Sequence, residues 1–184
     1  EVLLELYKLK GTNCLNYLNG MFSFVIYDFK KNILFCARDR LGIKPFYYYY
    51  DEKNFIFSSE IKPITQYLNS TFVDEDYLSD YLNTGLYDCD KRTFFKNINQ
   101  LEQGHYILKS DTEFKKIKYW DLYEKNSNLS LKKLSFEDTK IFFTDIVRNS
   151  FKLQMQSDTR IGLNVSSGLD SQIMMKNLDE LNNG

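Results

Sequence analysis

The spacing of apolar residues changes along the chain, and each change marks an element. Val2, Leu3, Leu4, Leu6, Tyr7 and Leu9 run without a breaker to Gly11, which predicts a helix closed by that glycine. Cys14, Leu15 and Leu18 lead into Asn19-Gly20. Strand formers fill Phe22 to Tyr27, a turn spans Asp28 to Asn32, and Ile33 to Arg38 is the return strand. Gly42 and Pro45 bracket a tight loop. Phe46 to Tyr50 and Phe55 to Phe57, on either side of a polar turn, are a third and fourth strand. Connections this short predict an antiparallel meander. Ser58 or Ser59 is expected to cap a short helix with Glu60 in its first turn. Asp74 or Glu75 opens a further helix through Tyr77, Leu78, Tyr81 and Leu82, closed by Gly85. Gln103-Gly104 predicts a turn before a strand at His105 to Leu108, and Tyr119-Trp-Asp121 ends this part.

The pattern then breaks. Residues 124–134 are polar and read as a linker between a first domain, 1–123, and a second, 135–184. Ser135-Phe-Glu-Asp138 has the form of a capping box, with Asp in place of Glu or Gln. A helical stripe follows through Phe142, Phe143, Ile146, Val147 and Phe151. Arg160 to Val165 predicts a strand, and from Leu169 the pattern returns to helix. The fold class expected is α+β followed by α/β.

Composition narrows the function classes. Hydrophobic residues are 43% and charged residues 27%, the balance of a soluble globular protein. Aromatics reach 16%, which favours sheet in the first half. A formal net charge of −1 with scattered Lys and Arg gives no electrostatic case for nucleic acid. No apolar run approaches the ~20 residues of a membrane span. Cys14, Cys36 and Cys89 are widely spaced and His105 is the single histidine, so neither a zinc site nor a disulfide framework is indicated. Free thiols fit a reducing cytoplasm. The chain starts at Glu1 in helical pattern and stops at Gly184 soon after the Ser-Ser-Gly-Leu-Asp-Ser run at 166–171, so both ends read as internal to a longer chain.

The chemistry concentrates in Val165 to Ser171. A strand, then Ser-Ser-Gly-Leu-Asp-Ser, then a helix places unpartnered N–H groups and a partial positive charge at one corner. Gly168 lets the backbone approach an anion, and Ser166, Ser167 and Ser171 add hydroxyl donors. Such a corner binds phosphate. The lysine of the G-x-x-x-x-G-K-[ST] loop is missing, and there is no G-x-G-x-x-G. Asp170, an acid in an anion site, fits either a Mg²⁺ accompanying the phosphates or an internal role ordering the loop. Read alone, the same six residues also make an ordinary helix cap.

Ser157-Asp-Thr-Arg-Ile-Gly-Leu-Asn-Val-Ser-Ser-Gly-Leu-Asp-Ser171 resembles the entry to the synthetase domain of glutamine-hydrolysing asparagine synthetases, whose loop reads Ser-Gly-Gly-x-Asp-Ser followed by Ser or Thr. Leu18-Asn-Gly-Met-Phe-Ser-Phe-Val-Ile-Tyr-Asp28, Ala37-Arg-Asp-Arg-Leu-Gly-Ile-Lys-Pro-Phe-Tyr-Tyr48 and Phe57-Ser-Ser-Glu-Ile-Lys62 are similar to the latter half of that family's glutaminase domain. Gly104-His-Tyr106 and Tyr119-Trp-Asp121 are similar to its closing strands. The likeness spans nearly the whole chain, in order.

The resemblance implies the trailing part of an αββα glutaminase sandwich, then the start of a Rossmann-like, adenine-nucleotide-binding ATP-pyrophosphatase domain. It implies an enzyme that cuts glutamine with an N-terminal cysteine and activates aspartate with ATP and Mg²⁺ as an acyl-adenylate, ammonia then displacing AMP. Relatives of the family act on sugars or form β-lactams, and a non-catalytic binding module of the same fold is a further alternative. Val165, Ser166, Ser167, Gly168, Leu169, Asp170 and Ser171 would contact ATP and its pyrophosphate, with Asp170 toward Mg²⁺. The glutaminase nucleophile is expected upstream of Glu1, so no catalytic residue is assigned here. Arg38 and Asp39 are expected to order the loop before Gly42, and His105 to be structural. Glutamine, aspartate or a related acid, and ATP are the implied small-molecule partners, with a homodimer as an option for the full-length protein. The sequence departs from the family at two positions: Ser167 stands for a Gly, and Gln172 for a Ser or Thr.

Overall fold

The computed structural model describes residues 1–123 and 134–182. The linker assigned to 124–134 therefore lies, apart from Leu134, outside the described residues. The chain divides into two compact units, 1–128 and 129–184.

The first unit opens with helix α1 (Val2–Lys10), which Gly11 ends at φ 59° by donating to the Tyr7 carbonyl. A 3₁₀ helix (Gly11–Tyr17) continues from it. Strands β1 (Ser23–Asp28), β2 (Ile33–Arg38), β6 (His105–Lys109) and β7 (Phe114–Lys118) form one antiparallel sheet in the order β1-β2-β6-β7. Strands β3 (Tyr47–Tyr50), β4 (Phe55–Ser58) and β5 (Ile98–Gln100) form a second, in the order β4-β3-β5.

Strand β2 explains how the layers stack. Its Ile-Leu-Phe-Cys-Ala run shows no alternation because both faces are covered. Phe35 and Ala37 join Tyr7, Cys14, Leu15 and Ile26 in a core under α1 and the 3₁₀ helix. Cys36, on the opposite face, joins Phe46, Tyr48, Leu101 and Ile107 in a core between the two sheets. Tyr50 of β3 stacks on Phe114 of β7 at 4.3 Å, tying the sheets together at one side. Helix α2 (Ile61–Leu68) packs on β3 and β4. The inner face of those strands is taken by the inter-sheet core, so the layer order is helix, sheet, sheet, helix.

The expected meander is corrected. The β1–β2 and β3–β4 hairpins both form, but they lie in different sheets, because residues 39–46 cross from one sheet to the other. The cap of α2 is also corrected: the helix begins after Glu60, and Ser58 accepts a bond from the Glu60 N–H instead of capping it. Helix α3 (Glu75–Thr84) follows expectation, with Asp74 accepting from the Tyr77 N–H at 3.0 Å and Gly85 left-handed at φ 70°. No helix among the described residues is long and apolar enough to cross a membrane.

Burial pushes the hydroxyls of Tyr48 and Tyr119 up to about 12. A phenol held neutral in the fold and free to ionise near 10 when unfolded stabilises the fold below pH 10. That contribution fades as pH rises from 10 through 12. Thermal unfolding midpoints are expected to fall across this window, and midpoints that stay level from pH 10 to 12 would contradict the burial.

The second unit contains helix α4 (Phe136–Gln154) and helix α5 (Leu169–Asn182). The Ser135 cap forms, as one half of the expected box: Ser135 Oγ accepts from the Asp138 N–H at 3.1 Å, and it donates to Asp138 Oδ2 at 2.6 Å, so the carboxylate meets the hydroxyl. Arg148 on α4 pairs with Glu180 on α5 at 2.8 Å. The strand expected at Arg160 to Val165 does not form; residues 160–166 belong to no helix or strand. A strand exists only through hydrogen bonds to a neighbour, and none runs beside this segment among the described residues.

Candidate functional site

Two arrangements of polar groups stand out, one in each unit. In the first unit Asp39 is 1% exposed at the crossover between the sheets. Its Oδ1 accepts from the N–H groups of Leu41 (3.1 Å) and Ile43 (3.0 Å), and its Oδ2 from those of Lys44 (3.0 Å) and Phe22 (3.3 Å). The Asp39 carbonyl takes two more, from Gly42 and Gly104. Arg38 wraps the same loop from outside, donating to the carbonyls of Lys44, Gly42 and Leu101 and to Gln100 Oε1. Desolvation lowers the Arg38 guanidinium from its ordinary value without freeing it of its partners. Arg40 donates to the Leu18 and Leu15 carbonyls. Every strong hydrogen-bonding position of Asp39 is spent on backbone, so this cluster orders the loop before Gly42, as the sequence suggested.

Sequence reading missed how far the knot reaches. Gln100, 4% exposed, accepts from Arg38 and donates through Nε2 to the Asp90 carbonyl at 2.7 Å, which fastens the segment after α3 to β5. Glu102 and Lys116 form a half-buried pair at 2.6 Å. Neither pairing has a local sequence signal, since partners lie 10 or more residues apart and on different elements.

Among the described residues none of the three cysteines has a basic partner. Cys14 and Cys36 are fully buried, and desolvation raises both thiols, that of Cys36 to about 12. Cys89 is exposed. A thiol-disulfide reagent is therefore expected to modify one thiol per folded chain rapidly and three after denaturation. Rapid modification of all three in the folded chain would show that the core clusters are open. His105 Nδ1 lies 2.8 Å from the Gln103 carbonyl at the start of β6, a turn contact.

In the second unit, the residues assigned to phosphate fall together at the start of α5. Ser171, half-buried, is the hub. Its Oγ accepts from the Ser166 N–H at 3.1 Å, and it lies 3.1 Å from Ser166 Oγ and 2.9 Å from the carbonyls of Ser166 and Gly168. Ser166 Oγ in turn accepts from the Gly168 N–H at 3.2 Å. The N–H groups of Leu169, Asp170 and Ser171 occupy the first helical turn, where no intrahelical acceptor exists. Val165 and Leu169 are exposed, at 54% and 72%. Ser167 is not among the positive-φ residues, so its side chain introduces no left-handed strain. Gln172, the second departure, donates through Nε2 to the Ser167 carbonyl at 3.1 Å.

The first-turn N–H groups and serine hydroxyls suit an anion; Asp170, a carboxylate, does not, and only a cation would draw it in. Among the described residues no group of three His, Cys, Asp or Glu could hold a metal ion. A Mg²⁺ at Asp170 would thus draw most of its oxygens from phosphate and water.

A two-sheet antiparallel α+β unit carrying a tightly bonded crossover defines the class. Residues 1–120 match the family model for a glutamine amidotransferase domain, and the chain belongs to that family. Within it the chain is similar to glutamine-hydrolysing asparagine synthetases. A Methanocaldococcus jannaschii protein, provisionally named as such, is 36% identical over 180 residues, covering 95% of this chain and 34% of the relative. Asparagine synthetase 3 of Bacillus subtilis is 34% identical, covering 93% and 27%. Amidase chyE of Penicillium rubens is 29% identical, covering 93% and 25%. The chain thus spans between a quarter and a third of the length of these relatives.

Proposed function

We propose that this chain is part of a glutamine-dependent ligase of the asparagine synthetase type. The parent would amidate aspartate through an acyl-adenylate, with ammonia drawn from glutamine. One observation carries this reading: the match to an asparagine synthetase covers 180 residues, so it runs past the amidotransferase region at 1–120 and through the loop at Val165 to Ser171. On this reading 1–123 is the trailing part of a glutamine amidotransferase domain, and 135–184 opens a Rossmann-like nucleotide-binding domain. The expected strand at Arg160 to Val165 would then need a neighbouring strand to pair with. The loop would hold the pyrophosphate of ATP: fixed N–H and hydroxyl donors stabilise charge that develops on a leaving group. Asp170 would face the accompanying Mg²⁺. The same reading carries a cytoplasmic location, which suits free thiols.

The test is ATP–pyrophosphate exchange with labelled pyrophosphate on the intact parent protein. Exchange that depends on aspartate is the expected result, and absence of exchange with any candidate acid overturns the proposal. Ser171→Ala is expected to lower exchange by about 10²-fold, because it removes the hydroxyl around which the loop is bonded. Unchanged exchange in that variant would remove the loop from the site. One relative is named an amidase and not an asparagine synthetase, and we keep as a second reading that the acceptor is a different acid. Exchange with a sugar acid or β-amino acid, and none with aspartate, would select it.

A further inference from the structure

We draw no further inference here: the strongest candidate, the exposed apolar face that Phe142, Ile146 and Leu153 form on helix α4 of the second unit, carries nothing because no feature of the structure shows what covers it.

Discussion

Asp39→Ala is expected to destabilise the amidotransferase unit by about 3–5 kcal/mol. The carboxylate is buried and satisfies four backbone N–H groups, those of Phe22, Leu41, Ile43 and Lys44. Removing it leaves these donors facing a small cavity, and each buried donor left unpaired costs about 1–3 kcal/mol before relaxation. The loop's other ties, to Arg38 and the Asp39 carbonyl, limit how far it can move to recover the loss. Asp39→Asn should be nearly as harmful. Each carboxylate oxygen accepts two N–H bonds, so whichever one becomes an amide NH₂ sets donor against donor twice. Urea unfolding of the chain, followed by far-UV circular dichroism, measures both. A loss under about 1 kcal/mol for either variant would show that the loop finds other acceptors.

How much of this was legible beforehand depended on where the information lay. Elements with their own punctuation came through: α1 with Gly11, α3 between Asp74 and Gly85, the turn at Asp28 to Asn32, and the Ser135 cap. Each is set by contacts within a few residues. What failed was pairing. Strand β7 went unread because its apolar residues, Phe114 and Ile117, fall on opposite faces and give no period of two. It exists because β6 lies beside it. Strand β5 is three residues long, too short to show a period. The crossover at 39–46 looked like one more short connection, since nothing local says that Phe46 enters the second sheet. The site divides the same way. Arg38 and Asp39 were expected to order the loop because of the family resemblance, and most of their partners, at 41–44, do prove to be near neighbours. Gln100 and its bridge from Arg38 to Asp90 went unread, because its partners come from other elements. The loop from Val165 to Ser171 was legible as a composition of small and hydroxyl residues. Its internal bonding through Ser171 needed coordinates.

Gly104→Ala separates two effects that usually travel together. Gly104 sits at φ +66°, and a Cβ there would lie 2.5 Å from the Trp120 carbonyl oxygen and 3.4 Å from its carbon. That oxygen is backbone and cannot swing aside. Nor can the segment retreat easily, because the Gly104 carbonyl accepts from the N–H groups of Tyr119 and Trp120 while its own N–H is held by Asp39. Gly85 has nearly the same backbone, φ +70°, yet a Cβ there meets nothing within 4 Å. Alanine at either site pays the left-handed penalty of about 1–2 kcal/mol. Only at Gly104 is steric overlap added, at about 1–3 kcal/mol more. Gly85→Ala is therefore expected to lose about 1–2 kcal/mol and Gly104→Ala about 2–5 kcal/mol, measured side by side by urea unfolding. Equal losses would mean that conformational preference alone explains Gly104. The larger loss at Gly104 would locate the constraint in the meeting of the β6 turn, the end of β7 and the Asp39 crossover, where backbone bonds from Asp39, Gly104, Tyr119 and Trp120 converge.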